Sequence, residues 1–131
     1  MNRKSVIATI KSECGSQLKF GITQHGESVN YIDIFIRTKD FAVIGITENG
    51  YWCVIPEEKL WTQNDNFYIF LLLLYSPLNE VIGLIKSGLK EKNLPHKIAY
   101  TFPYDNLILS ALKGNNHWSN LAMNWIRLSY K

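Results

Sequence analysis

The chain has 131 residues, 47% hydrophobic, 19% charged and 13% aromatic, with a net charge of +3. That size fits one domain spanning residues 1–131, and the composition is too apolar and too weakly charged for a disordered chain. The longest apolar run, Phe67 to Tyr75, is nine residues against the roughly 20 that a membrane helix needs, and two cysteines are too few for a disulfide framework.

Met1-Asn2-Arg3-Lys4 is basic and precedes Val6-Ile7-Ala8-Thr9-Ile10. The apolar stretch is shorter than a secretory core of about 7–15 residues, so Ser5 to Lys11 reads as a first strand and the expected compartment is the cytoplasm. Leu18 to Thr23 is a weaker strand candidate. In Tyr31 to Arg37, Ile32, Ile34 and Ile36 alternate with Asp33, Phe35 and Arg37, which predicts a strand with the isoleucines on one face. Phe41–Thr47 and Tyr51–Ile55 flank Asn49-Gly50, the strongest short hairpin signal, with a type I′ turn expected. Pro56 ends the second arm, because proline donates no ladder hydrogen bond.

The second half reads as helix. Periodicity leaves Phe67–Tyr75 open; four consecutive leucines favour helix, with Asp65 as a cap. Ser76 as N-cap and Pro77 at the first helical position open a helix carrying Leu78, Val81, Ile82, Ile85 and Leu89 on one stripe. After Asn93-Leu94-Pro95, alternation of Ile98, Tyr100 and Phe102 predicts one more strand. Leu107 to Lys113 is a short helix ended by Gly114. Trp118, Leu121, Ala122, Trp125 and Leu128 mark a terminal helix. The fold class is therefore α+β: a mainly antiparallel sheet in the N-terminal half, with C-terminal helices packed on one face.

Catalytic patterns are missing from the residue order. His25, His96 and His117 have no second histidine or cysteine at metal-ligand spacing, and no HExxH or CxxC occurs. Cys53 sits in an apolar strand, a poor place for a reactive thiolate. Gly21 and Gly26 are not followed by the Lys-Ser/Thr of a phosphate loop. Glu57 and Glu58 are adjacent and diverge. The expectation is a protein with no catalytic residues, no cofactor and no metal.

Charge is uneven. Residues 1–65 carry 7 basic and 8 acidic side chains, net −1; residues 66–131 carry 7 basic and 3 acidic, net +4. Between 40 and 65, Asp40, Glu48, Glu57, Glu58 and Asp65 face only Lys59, net −4. With Trp52 and Trp61 nearby, this is an acidic patch suited to a basic partner, or the solvated face of a hairpin. Lys86, Lys90, Lys92, Lys97 and Lys113 allow the alternative of a small nucleic-acid-binding module. However, arginine, the usual reader of phosphate and guanine, occurs only as Arg3, Arg37 and Arg127.

The segment Phe102-Pro103-Tyr104-Asp105-Asn106, running on to Ala111-Leu112, is followed by His117-Trp118, Leu121-Ala122 and Trp125. This resembles the C-terminal signature of small bacterial immunity proteins encoded beside polymorphic toxins, including those of contact-dependent growth inhibition. Position 117 holds His where that pattern has Tyr, and the likeness covers about a fifth of the chain. It implies a non-catalytic inhibitor that binds a cognate toxin domain in the cytoplasm, nucleases being common targets, with no nucleic-acid or membrane partner of its own. Inhibitors of basic nucleases are usually acidic, and this chain is net positive. The signature carries no binding residues, so Glu57, Glu58, Trp61 and Asp65 are candidates on charge and aromaticity alone.

Overall fold

The computed structural model describes residues 1–37, 42–55, 59–64 and 67–129. It is α+β, with one helix before five strands in the N-terminal half and helices after them. Among the described residues, no helix is long and apolar enough to cross a membrane.

The chain opens with a helix, α1 (Arg3–Cys14), where a strand was expected. Two local features explain the correction. Asn2 caps the first turn, its Oδ1 accepting from Ser5 N at 2.9 Å. Val6, Ile10 and Cys14 recur every four residues and are the buried stripe. The run Val6–Ile10 looks like a strand only when Cys14 is left out of the pattern.

Five strands follow: β1 (Lys19–Thr23), β2 (Ser28–Arg37), β3 (Ala42–Thr47), β4 (Trp52–Ile55) and β5 (Lys59–Thr62). They form a closed barrel in sequence order. Consecutive strands pair antiparallel, so an odd number of them leaves β1 and β5 running the same way. Closure is therefore a parallel pair, Ile22 beside Lys59 and Thr23 beside Leu60. The β3–β4 hairpin forms as expected, but its turn is different. Gly50 alone has positive φ, +84°; Gly50 N donates to Thr47 O, and Thr47 N to Tyr51 O. That is a three-residue loop with glycine in the left-handed position, not a type I′ turn. On β2, a bulge between Asp33 and Phe35 shifts the register, so Phe35, not Ile34, lies beside Ile44.

The barrel has two unlike faces. Register places Tyr31, Thr47, Asp33, Gly45 and Cys53 on the inner one, with Leu60 closing it. Small residues are needed there: a Cβ on Gly45 meets Ile32 O at 2.5 Å. The outer face of β2–β4 carries Ile32, Ile44, Ile46, Trp52 and Val54, all buried. The main core thus lies between the barrel wall and the helices, each large side chain contributing about 1.5–3 kcal/mol.

Phe67–Tyr75 is a 3₁₀ helix, η1; its proposed cap, Asp65, lies outside the described residues. α2 (Leu78–Glu91) starts one residue later than expected. Pro77 takes the cap position without a side-chain bond, and the Ser76 carbonyl accepts from Trp125 Nε1 at 2.9 Å. The predicted strand at 98–102 is instead a 3₁₀ turn, η2 (His96–Thr101). Pro95 presets it at φ −62°, Ile98 N donates to Pro95 O, and Thr101 Oγ1 donates to Ile98 O at 2.6 Å. The period is three, and Tyr100 points to solvent. α3 (Tyr104–Leu112) and α4 (Asn116–Ser129) complete the chain. α2 packs on β2, and α3 and α4 pack on each other and on η1.

Asp33 ties the barrel to α2. Its Oδ1 is ion-paired to Lys92 Nζ at 3.4 Å and its Oδ2 to Lys19 Nζ at 3.5 Å. Burial raises its pKa, but Lys92 and then Lys19 outweigh that, and the carboxyl titrates below its ordinary value. A depressed folded pKa adds stability that is present above the unfolded value, about 3.9, and is lost as pH falls through the folded one. Asp33→Asn therefore lowers stability at pH 7 by roughly 1 kcal/mol, as partly exposed ion pairs do. Urea unfolding at pH 7 and pH 3 checks this: the gap between variant and parent is smaller at pH 3 than at pH 7.

Candidate interaction face

β1 is inverted relative to an ordinary amphipathic strand. Gly21 and Thr23 face the barrel interior, while Phe20 and Ile22 face out, 66% and 44% exposed. The reason lies at Gly21: a Cβ there sits 3.1 Å from the Tyr31 ring and 3.4 Å from Leu60 Cδ1. The interior is already filled by side chains from β2 and β5, and the apolar residues of β1 take the outside.

The same outer wall continues onto β5. Ile22 pairs with Lys59, and Trp61, two residues on, shares that face and pairs with Val54 of β4. Val54 is buried under the helices, Trp61 is half-buried against the core, and Lys59 is exposed. Trp61 therefore marks the margin where helix cover ends. Beyond it, Phe20 and Ile22 stand bare. Two neighbouring exposed apolar side chains on one wall make it a candidate interaction surface.

Of the four residues expected to contact a partner, Trp61 is at this margin. Glu57, Glu58 and Asp65 lie outside the described residues, as does Asp40. Glu48 sits in the β3–β4 loop. Trp52 is not available to a partner: it is 1% exposed, its Nε1 donates to Thr101 Oγ1 at 3.1 Å, and its ring meets Phe102 edge-on at 5.2 Å. Sequence reasoning missed Phe20 and Ile22. Their alternation was visible, but alternation does not say which side of a strand is inside.

The residues of the C-terminal signature pack a core. Ala122 and Trp125 are fully buried, and Trp118 and Leu121 partly so. Tyr104 donates to Ala99 O at 2.9 Å, and burial raises its pKa. Phe102 joins Trp52, Phe70 and Tyr104 in edge and tilted contacts. His117 Nε2 lies 2.8 Å from the Tyr75 hydroxyl. A cleft of about 400 Å³ opens between η1 and α4, over Pro77, Leu121 and Trp125, with Arg127 at its rim.

Other chemistry is sparse. Both thiols are buried, and burial raises the pKa of each, which disfavours thiolate chemistry. Among the described residues, no group of three or more His, Cys, Asp or Glu side chains is placed to hold a metal ion. Of the lysines, Lys92 is paired with Asp33, and Lys86 lies over the Tyr100 ring at 4.9 Å. Comparison with protein-family models, with curated proteins and with solved structures finds no match to this chain.

Proposed function

We propose that this chain is an immunity protein: a non-catalytic inhibitor that binds and neutralises a cognate bacterial toxin domain in the cytoplasm. The observation that carries the binding reading is the bare wall of the β1–β5 pair, where Phe20 and Ile22 stand exposed beside Trp61. The class of partner comes from the resemblance of residues 102–126 to immunity proteins. In this reading Phe20 and Ile22 are the apolar anchors, Trp61 flanks them, and Glu57, Glu58 and Asp65 supply acidic character toward a basic toxin surface. Anchors of this kind hold most of an interface's energy, and rim charges set the association rate.

The test is co-expression with the C-terminal domain encoded by the neighbouring large open reading frame. The two chains co-elute, and cells making the toxin domain grow only when this chain is present. The double variant Phe20→Asp/Ile22→Asp keeps the parent's circular dichroism and elution volume but binds at least ~100-fold more weakly, as loss of a central hot spot predicts. Co-elution that survives this variant moves the interface elsewhere. No complex and no rescue with the parent chain ends the immunity reading.

A further inference from the structure

Asn49 is the only asparagine of the chain that is followed by glycine. That pair is chemically distinct: glycine has no side chain to shield its backbone nitrogen from the neighbouring amide carbon, and asparagine is a thermolabile residue. Asn49 is exposed in the β3–β4 loop. Attack of Gly50 N on Asn49 Cγ forms a carbon–nitrogen bond, breaks the bond from Cγ to Nδ2 and releases ammonia, leaving a five-membered cyclic imide. Water then opens the imide at either carbonyl, which gives aspartate or isoaspartate at position 49.

The fold ties down the attacking group. Gly50 N donates to Thr47 O at 2.9 Å, so its N–H is committed within the loop. Thr47 N donates to Tyr51 O at 2.8 Å and Tyr51 N to Thr47 Oγ1 at 3.2 Å, which fixes the chain on both sides of Asn49. α1 lies on the glycine itself: a Cβ on Gly50 would sit 2.7 Å from Arg3 Cγ and 3.0 Å from Ile7 Cγ1. The Arg3 guanidinium donates to Tyr51 Oη and lies over that ring at 4.6 Å. For Gly50 N to turn toward Cγ, the loop has to break its bond to Thr47 and shift against α1.

We infer that Asn49 is a deamidation site locked by the seat of α1 on the β3–β4 loop: it is inert in folded molecules and reacts when the first turn of α1 lifts. The product matters to the fold. Isoaspartate puts an extra methylene into the main chain between β3 and β4, whose buried Ile44, Ile46, Trp52 and Val54 depend on the register that this loop sets. A molecule that stays open here is thereby withdrawn from the folded pool. The site uses no residue of the Phe20–Trp61 wall and stands independently of the immunity reading.

The experiment incubates the full chain at mildly alkaline pH, folded and in guanidinium chloride, and follows deamidation and isoaspartate at every asparagine by peptide mass spectrometry. In the unfolded chain Asn49 reacts ahead of all other asparagines. In the folded chain it is at least ~10-fold slower, because opening breaks two or more hydrogen bonds. Arg3→Ala speeds the folded reaction by about 3- to 10-fold, the worth of one hydrogen bond; if Arg3→Ala does not fold, Tyr51→Phe is read in its place. Asp33→Asn, which weakens the fold away from this loop, keeps the parental rate. A folded chain that reacts as fast as the unfolded one overturns the lock. A parental rate in the Arg3 variant, or equal acceleration by Asp33→Asn, overturns the role of α1. Another asparagine reacting first in the unfolded chain overturns the site.

Discussion

Gly88→Ala lowers the urea midpoint by roughly 1–2 M, while Gly83→Ala in the same helix raises it. Both substitutions gain about 0.8–1.0 kcal/mol of helix propensity. The difference lies in what the new methyl meets. At Gly83 nothing lies within 4 Å, so the propensity gain is kept. At Gly88 the Cβ falls 1.9 Å from the Ile34 carbonyl oxygen and 2.7 Å from its carbon. These are backbone atoms of β2 beside its bulge, and they cannot turn aside as a flexible side chain does. α2 must lift from the barrel wall, separating Ile85 and Leu89 from it. Overpacking costs about 1–3 kcal/mol and at times more; with a backbone obstacle the upper end applies, and the net loss is about 2 kcal/mol or greater. A typical urea m-value of about 1–3 kcal/mol/M gives the midpoint shift. Equal midpoints for the two variants would show that α2 does not seat on β2 as described.

Trp52→Ala removes about 3–5 kcal/mol, the range for a buried tryptophan. Trp52 connects the halves of the molecule: it stands on β4, its indole donates to Thr101 of η2, and its ring meets Phe102. Thr101 in turn donates to Ile98 O, so removing the indole leaves a hydroxyl that has lost its donor next to a new cavity. Against a total stability of about 5–15 kcal/mol, that loss leaves a marginal fold. Trp52→Phe separates the contributions, since it keeps most of the packing and loses the hydrogen bond, at a cost of about 1 kcal/mol for that bond. Thermal unfolding of the three proteins orders them parent, Phe, Ala. If Trp52→Ala unfolds like the parent, Trp52 is not the buried link between barrel and helices.

Local signals fared well where they had no competitor. The β3–β4 hairpin follows from Asn49-Gly50, α2 from its apolar stripe, and α3 with its end before Gly114 from the helix stop at that glycine. They failed where two local readings fitted the same residues. Val6–Ile10 fits a strand until Asn2 and Cys14 are counted. Ile98–Tyr100–Phe102 fits a strand until Pro95 and Thr101 close a three-residue turn. In each case the deciding atom is a side chain or a proline just outside the apolar run.

The candidate face was the least legible part. Trp61 was singled out for being aromatic near acidic residues, and it does lie at the margin of a bare wall. Trp52, the other tryptophan near those acidic residues, is in the core. Nothing in Lys19–Thr23 tells Phe20 from an inward residue, because strand alternation fixes two faces but not which one is inside. That choice is made at Gly21, by side chains from Tyr31 and Leu60, residues 10 and 39 positions away in the chain.

By itself, then, the sequence determined the fold class, the hairpin at Asn49-Gly50 and the helical stripes of the second half. All of these depend on neighbours within a few residues, where capping, propensity and periodicity act. Only the tertiary structure decided that the five strands close into a barrel, that closure is a parallel β1–β5 pair, and that the large apolar residues of β2–β4 point outward to the helices. Those outcomes depend on how much volume the barrel interior has left after distant strands have filled it, and volume is a property of the assembled whole.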